Sequence, residues 1–170
     1  MPRIFFLLFA LLILTSCSKT SPAGFWENFH REMLVKNISD QGPGGGHRAM
    51  HWISPKQNAF DSAAVIAFAG KNGWHLTKAY SFKQDSAAKW MYDGKATFPL
   101  SNTGFNPYDS FNNSTYSLFP RRINSDLKVY QFKTGWMAIE PGSDKSTEEN
   151  GFVLVNDSAS KMSVYHIWGK

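Results

Sequence analysis

The chain has 170 residues, 18 Lys and Arg against 13 Asp and Glu, and one cysteine. A single cysteine excludes an intrachain disulfide, so stability rests on packing and hydrogen bonds. The formal charge of +5 is mild and carries no Lys/Arg stripe, which argues against nucleic-acid binding. Aromatic residues make up 15% of the chain, with six tryptophans. That is enough to build a core of large rings, or to furnish a surface that stacks on sugars or grips a partner.

Met1-Pro2-Arg3 places a positive charge at the start, and residues 4–14 follow as eleven apolar positions. A bilayer span takes about 20 such residues, whereas a run of this length suits the apolar region of a signal peptide. The run closes on Leu14-Thr15-Ser16-Cys17. An aliphatic residue, two small ones and a cysteine in this order resemble the lipobox of bacterial lipoproteins, over residues 1–18 only. The resemblance implies that the Cys17 thiol is acylated and residues 1–16 are removed. It also implies acylation of the new amino terminus. Ser18 stands where enteric-type sorting uses aspartate for inner-membrane retention, which implies the outer membrane, facing the periplasm. Cleavage leaves 154 residues (170 − 16) and a charge of +4 (+5 without Arg3), one domain of ordinary size.

Residues 17–24, small and polar and containing Pro22 and Gly24, read as a lipid-anchored tether. Residues 25–170 read as a single α+β domain. Within it, residues 25–36 read as an N-terminal amphipathic helix, with Trp26, Phe29, Met33 and Leu34 at helical spacing. Residues 40–46 hold four glycines and a proline and read as an irregular loop. This loop is not a phosphate loop, because His47-Arg48 follows where Lys-Ser/Thr is required. Residues 47–53 read as a strand and Asp61 as the N-cap of a helix over 62–71. Gly73 is the stop, and residues 74–82 read as a second strand. Together they suggest a β-α-β unit.

Residues 86–92 suggest a short helix, and residues 93–126 show little periodicity. A stretch of that length points to function or to a missed element. Its rings, Phe105 and Tyr108 among them, and the basic pair Arg121-Arg122 are candidate contacts for a partner. Residues 127–133, 136–140, 151–155 and 162–168 read as an antiparallel C-terminal meander.

Chemistry is sparse. No G-x-S-x-G or H-E-x-x-H occurs, and no pattern requires a cofactor. His47 and His51 on a strand lie about 13 Å apart, too far to share a metal ion. Glu140 and His166 could hydrogen-bond if their strands adjoin. The leading expectation is therefore a non-enzymatic cell-envelope lipoprotein whose domain binds a protein, an immunity-type role being one form. The alternative is a glycan-binding or glycan-acting module that uses exposed tryptophans and Glu140.

Overall fold

A computed structural model describes residues 22–84, 91–92, 95–96, 122–139 and 144–169. In chain order its strands are β1 (Leu34–Gly42), β2 (Gly45–Ile53), β3 (His75–Phe82), β4 (Met91–Tyr92), β5 (Lys95–Ala96), β6 (Leu127–Lys133), β7 (Ala138–Ile139), β8 (Ser146–Thr147), β9 (Gly151–Asn156) and β10 (Lys161–Gly169). One helix, α1 (Ser62–Lys71), lies between β2 and β3. The sheet runs β1-β2-β10-β9-β6-β3, and every neighbour on that path is antiparallel. β7 joins β10 through a single parallel pair and β8 through an antiparallel one. Among the described residues, β4 and β5 pair only with each other.

This corrects the α+β expectation in three places. The protein is mostly antiparallel sheet, and Ser62–Lys71 is the one α-helical element among the described residues. Residues 25–36 do not form an amphipathic helix. They form two 3₁₀ turns, Gly24–Asn28 and Arg31–Met33, and then enter β1. Left-handed residues, Ala23 (φ 60°) and His30 (φ 43°), precede the two turns. Trp26 and Phe29 share a side because a 3₁₀ turn also repeats every three residues. The β-α-β expectation fails as a local unit. Four antiparallel steps separate β2 from β3, so the two point the same way, yet β10, β9 and β6 lie between them. The four-stranded meander is also broken. β6 pairs with β9 rather than with residues 136–140, of which only Ala138–Ile139 is strand.

Residues 40–46 are not an irregular loop either. They form the turn of a β1–β2 hairpin, with Pro43 and Gly44 between the strands. The glycines permit close approach here. A Cβ on Gly46 would overlap the Asp40 carbonyl and the Trp168 ring, and one on Gly169 (φ 77°) would overlap the Gly44 backbone. The short helix expected over 86–92 falls partly on residues outside the described set, and Met91–Tyr92 is strand.

α1 forms where expected. The Asp61 side chain accepts from the Ala64 amide (3.0 Å), and Gly73 takes φ 85° just after the helix. Each cap of this kind contributes about 1 kcal/mol.

Both faces of the sheet are buried. One carries Ala49, Leu127, Val129, Phe152, Leu154 and Tyr165, packed with Ile123 and Ala138. The other carries Met50, Trp52, Phe132, Val153, Val155, Met162 and Val164, and packs under α1 and the N-terminal turns. Burial on both sides explains why β9 is apolar along its length rather than alternating.

Gly46→Ala is expected to lower stability by about 2–3 kcal/mol, because the added methyl meets backbone and an immobile ring. Gly44→Ala, whose Cβ would meet nothing within 4 Å, is expected to change stability by less than about 1 kcal/mol. Urea unfolding of the two variants checks the contrast.

Candidate functional site

Side chains along β10 alternate between the faces, and each face holds a buried polar cluster. The first is built around His166, which is fully buried. Its ring lies 5.2 Å from that of Trp74 and 5.1 Å from that of Trp168. Thr134 follows β6 directly, and its Oγ1 is 2.6 Å from Asn150 Oδ1 and 3.2 Å from His166 Nε2. Asn150 Nδ2 donates to the Trp136 carbonyl (2.7 Å), which fixes the amide orientation and leaves Oδ1 facing Thr134. The Thr134 hydroxyl therefore gives its one hydrogen to Asn150. It accepts from the Trp136 amide (3.2 Å) and from His166 Nε2–H. His166 is thus the Nε2–H tautomer, and its buried Nδ1 has no hydrogen-bond partner among the described residues. Burial, and then the charge of Arg48, hold His166 well below its ordinary value, at about 3. Arg48 is its cross-strand partner and ion-pairs with Glu27 at 2.8 Å.

The second cluster lies on the opposite face. His51 Nδ1 is 2.8 Å from Ser163 Oγ, and the Tyr165 hydroxyl also bonds to Ser163. Burial lowers His51 to about 4, with Arg122 and Lys161 adding to the effect and a backbone hydrogen bond opposing it. Burial pushes Tyr165 up to about 12, against the Ser163 hydrogen bond and Arg122. A serine hydroxyl against an imidazole is the pairing used in nucleophilic catalysis. Here Ser163 is 1% and His51 4% exposed, so the pair acts as an internal hydrogen bond. The neutral His51 is also a weak base.

Of the residues singled out from sequence, His166 is a core residue bonded to Thr134, and Arg122 is half-buried beside His51 and Tyr165. The sheet separates these two, so they do not form one site. Cys17, Phe105, Tyr108, Arg121 and Glu140 lie outside the described residues. The pairing expected between Glu140 and His166 falls outside them as well. Four of the five described tryptophans (Trp26, Trp52, Trp74, Trp168) are buried, and Trp136 is 45% exposed. Ring stacking is therefore used mainly to build the core.

Sequence reasoning missed Thr134, Asn150 and Ser163, and weighed His51 only as a metal ligand. Each is a polar residue at or inside an apolar strand, which is a weak signal for a buried network. It also missed the one exposed feature those groups support. Trp136 and Met137 stand on the β6–β7 corner, 45% and 43% exposed. Thr134 and Asn150 hold the Trp136 backbone, and the Gly169 amide donates to the Met137 carbonyl at 2.7 Å. The corner is a rigid mount for two surface apolar side chains.

Among the described residues, no group of three or more His, Cys, Asp or Glu is placed to hold a metal ion. None of their helices is long and apolar enough to cross a membrane. The fold and the two clusters define an antiparallel sheet domain with one helix and a closed polar interior. No protein-family model, curated protein or solved structure matches the chain.

The two buried histidines set the acid response. Each has a folded value below its ordinary 6.5, so the unfolded chain binds the extra proton first. Their contribution is complete above about pH 6.5 and is lost as pH falls toward 4 and then 3. Each is expected to add a slope of up to about 1.4 kcal/mol per pH unit in that window. Urea unfolding at pH 7, 6 and 5 checks this, and His51→Asn is expected to reduce the slope, with His166 and His47, which burial also lowers, carrying the remainder.

Proposed function

We propose that the protein is a non-enzymatic cell-envelope lipoprotein, held by acyl chains on Cys17 at the outer membrane and facing the periplasm, whose domain binds a protein partner. The observation that carries the anchored part is the Leu14-Thr15-Ser16-Cys17 ending after eleven apolar residues. The non-enzymatic part is supported by the closure of the one Ser–His pair among the described residues, with Ser163 1% exposed. An immunity-type role, with a periplasmic toxin as partner, is one form of this reading. Arg122, half-buried beside His51 and Tyr165, is the described residue best suited to a partner contact, because arginine is enriched where interfaces concentrate their energy. The burial of four tryptophans leaves the glycan reading with Trp136 as its one exposed tryptophan among the described residues.

Metabolic labelling with a fatty-acid analogue tests the anchor. The parent is expected to take up label and Cys17→Ser to lose it, and equal labelling of both would overturn the anchor. Chemical cross-linking in the native envelope tests the partner. A specific cross-linked protein is expected with the parent, reduced about tenfold or more with Arg122→Glu, a loss typical of a central interface arginine. Cross-linking that is unchanged in the variant would remove Arg122 from the contact.

A further inference from the structure

We propose that the end of the domain carrying Trp136, Met137 and Leu76 lies against the lipid bilayer, with these side chains in the boundary between headgroups and acyl chains. The proposal rests on the lipid-anchored reading above and adds an orientation to it.

The sheet has two distinct ends. At one, Gly45 of β2 pairs with Gly169 of β10, Gly151 of β9 pairs with His166, and Lys133 of β6 pairs with His75 of β3. Gly169 also bonds to Met137, so the Trp136–Met137 corner belongs to this end, as does Leu76 beside His75. At the other end Ile53 pairs with Lys161, and Val35 follows the Leu34–Trp52 pair. Of the five exposed large apolar side chains among the described residues, three (Leu76, Trp136, Met137) are at the first end.

The chain arrives at that same end. Ala23 is buried in the helix-side core, and the rings of Phe25 and Trp26 lie 5.5 and 5.7 Å from that of Trp74. Trp74 in turn packs beside Thr134, since a Cβ on Gly151 would strike both. Five Cα–Cα steps separate Cys17 from residue 22, the first described position, and span at most about 17 Å. A domain of this size is about 35–40 Å across. An anchor on so short a leash keeps the first end near the membrane and the Ile53 end away from it.

The chemistry of the corner fits that boundary. Tryptophan combines a large apolar ring with one N–H and suits the headgroup level, and methionine adapts to irregular apolar surroundings. The Trp136 amide, the Trp136 carbonyl and the Met137 carbonyl are all bonded inward, to Thr134, Asn150 and Gly169. Moving this corner out of water therefore leaves none of those three groups unpaired, which is the main cost of taking a loop into lipid.

The test uses the full chain in its lipidated form, reconstituted into phosphatidylethanolamine–phosphatidylglycerol vesicles. Met137→Cys, Leu76→Cys and Ile53→Cys each place one thiol on an exposed position, to be labelled with an environment-sensitive fluorophore. Labels at 137 and 76 are expected to be quenched several-fold more by lipids with a shallow nitroxide than the label at 53. Equal quenching at 137 and 53, with Cys17 acylated, overturns the orientation and leaves the anchor standing. A label at 137 that is shielded in native envelopes but not in pure lipid overturns it in favour of a protein occupant. A freely reactive Cys17 thiol in the parent overturns the anchor, and the orientation with it.

Discussion

The pairing of β10 with β2 is the constraint on which the rest of the structure depends. It runs for nine residue pairs, from Lys161↔Ile53 to Gly169↔Gly45. Among the described residues it is also the one ladder that joins the N-terminal hairpin to the strands after residue 126, because there β1 pairs only with β2 and β3 only with β6. Such a contact closes a loop of more than a hundred residues, and its entropic cost must be offset by what it buries. The offset comes from both faces at once. Val164 and Met162 pack on the helix side and Tyr165 on the other. The glycines at the hairpin end let the backbones close at all, since side chains on Gly46 or Gly169 would hold the strands apart.

The same ladder explains why the interior contains polar side chains. A strand buried on both faces has no solvent side on which to place them. His166 and Ser163 lie three residues apart on β10 and face opposite ways, so each needs its own partners inside the protein. Ser163 finds His51 and Tyr165, and His166 finds Thr134. His166 Nδ1 is left over, and an unpaired buried acceptor costs about 1–3 kcal/mol. What the arrangement gains is a fixed corner, because the Thr134 hydroxyl and the Asn150 amide complete the backbone hydrogen bonds of Trp136.

Legibility in the sequence followed how local the determining interaction was. α1 could be read because Asp61 caps it from within three residues and Gly73 ends it. The strands at 127–133 and 151–156 could be read because they are apolar runs bounded by turn residues. The N-terminal segment could not. Its rings are spaced for a helix, but they are held by distant partners: Trp26 by Phe68 and Trp74, and the Phe29 carbonyl by the Trp52 indole at 2.7 Å. The glycine run was misread for the same reason. Alone it favours an irregular loop, and only the arrival of Trp168 beside Gly46 makes small residues a requirement of pairing. Of the candidate site, Arg122 and His166 were visible as residues, but whether a charged or polar group faces solvent or a cluster depends on strand register, which no local pattern encodes.

The N-terminal aromatic cluster connects fold and placement. Phe25, Trp26, Phe29, Phe68 and Trp74 stack with centroid separations of 4.8 to 5.9 Å. Glu27 adds an ion pair to the buried Arg48 and a hydrogen bond from Asn37. Aromatic pairs of this kind contribute about 0.5–1.5 kcal/mol each beyond their area, and together they fix residues 23–29 to the sheet. A domain joined to its anchor through a loose segment could present any face to the membrane. Here the first described turn is part of the core, so the point at which the chain enters the domain is set by the same packing that holds Trp74 against His166 and Thr134. In the lipid-anchored form proposed above, that packing would set the orientation of the domain relative to Cys17.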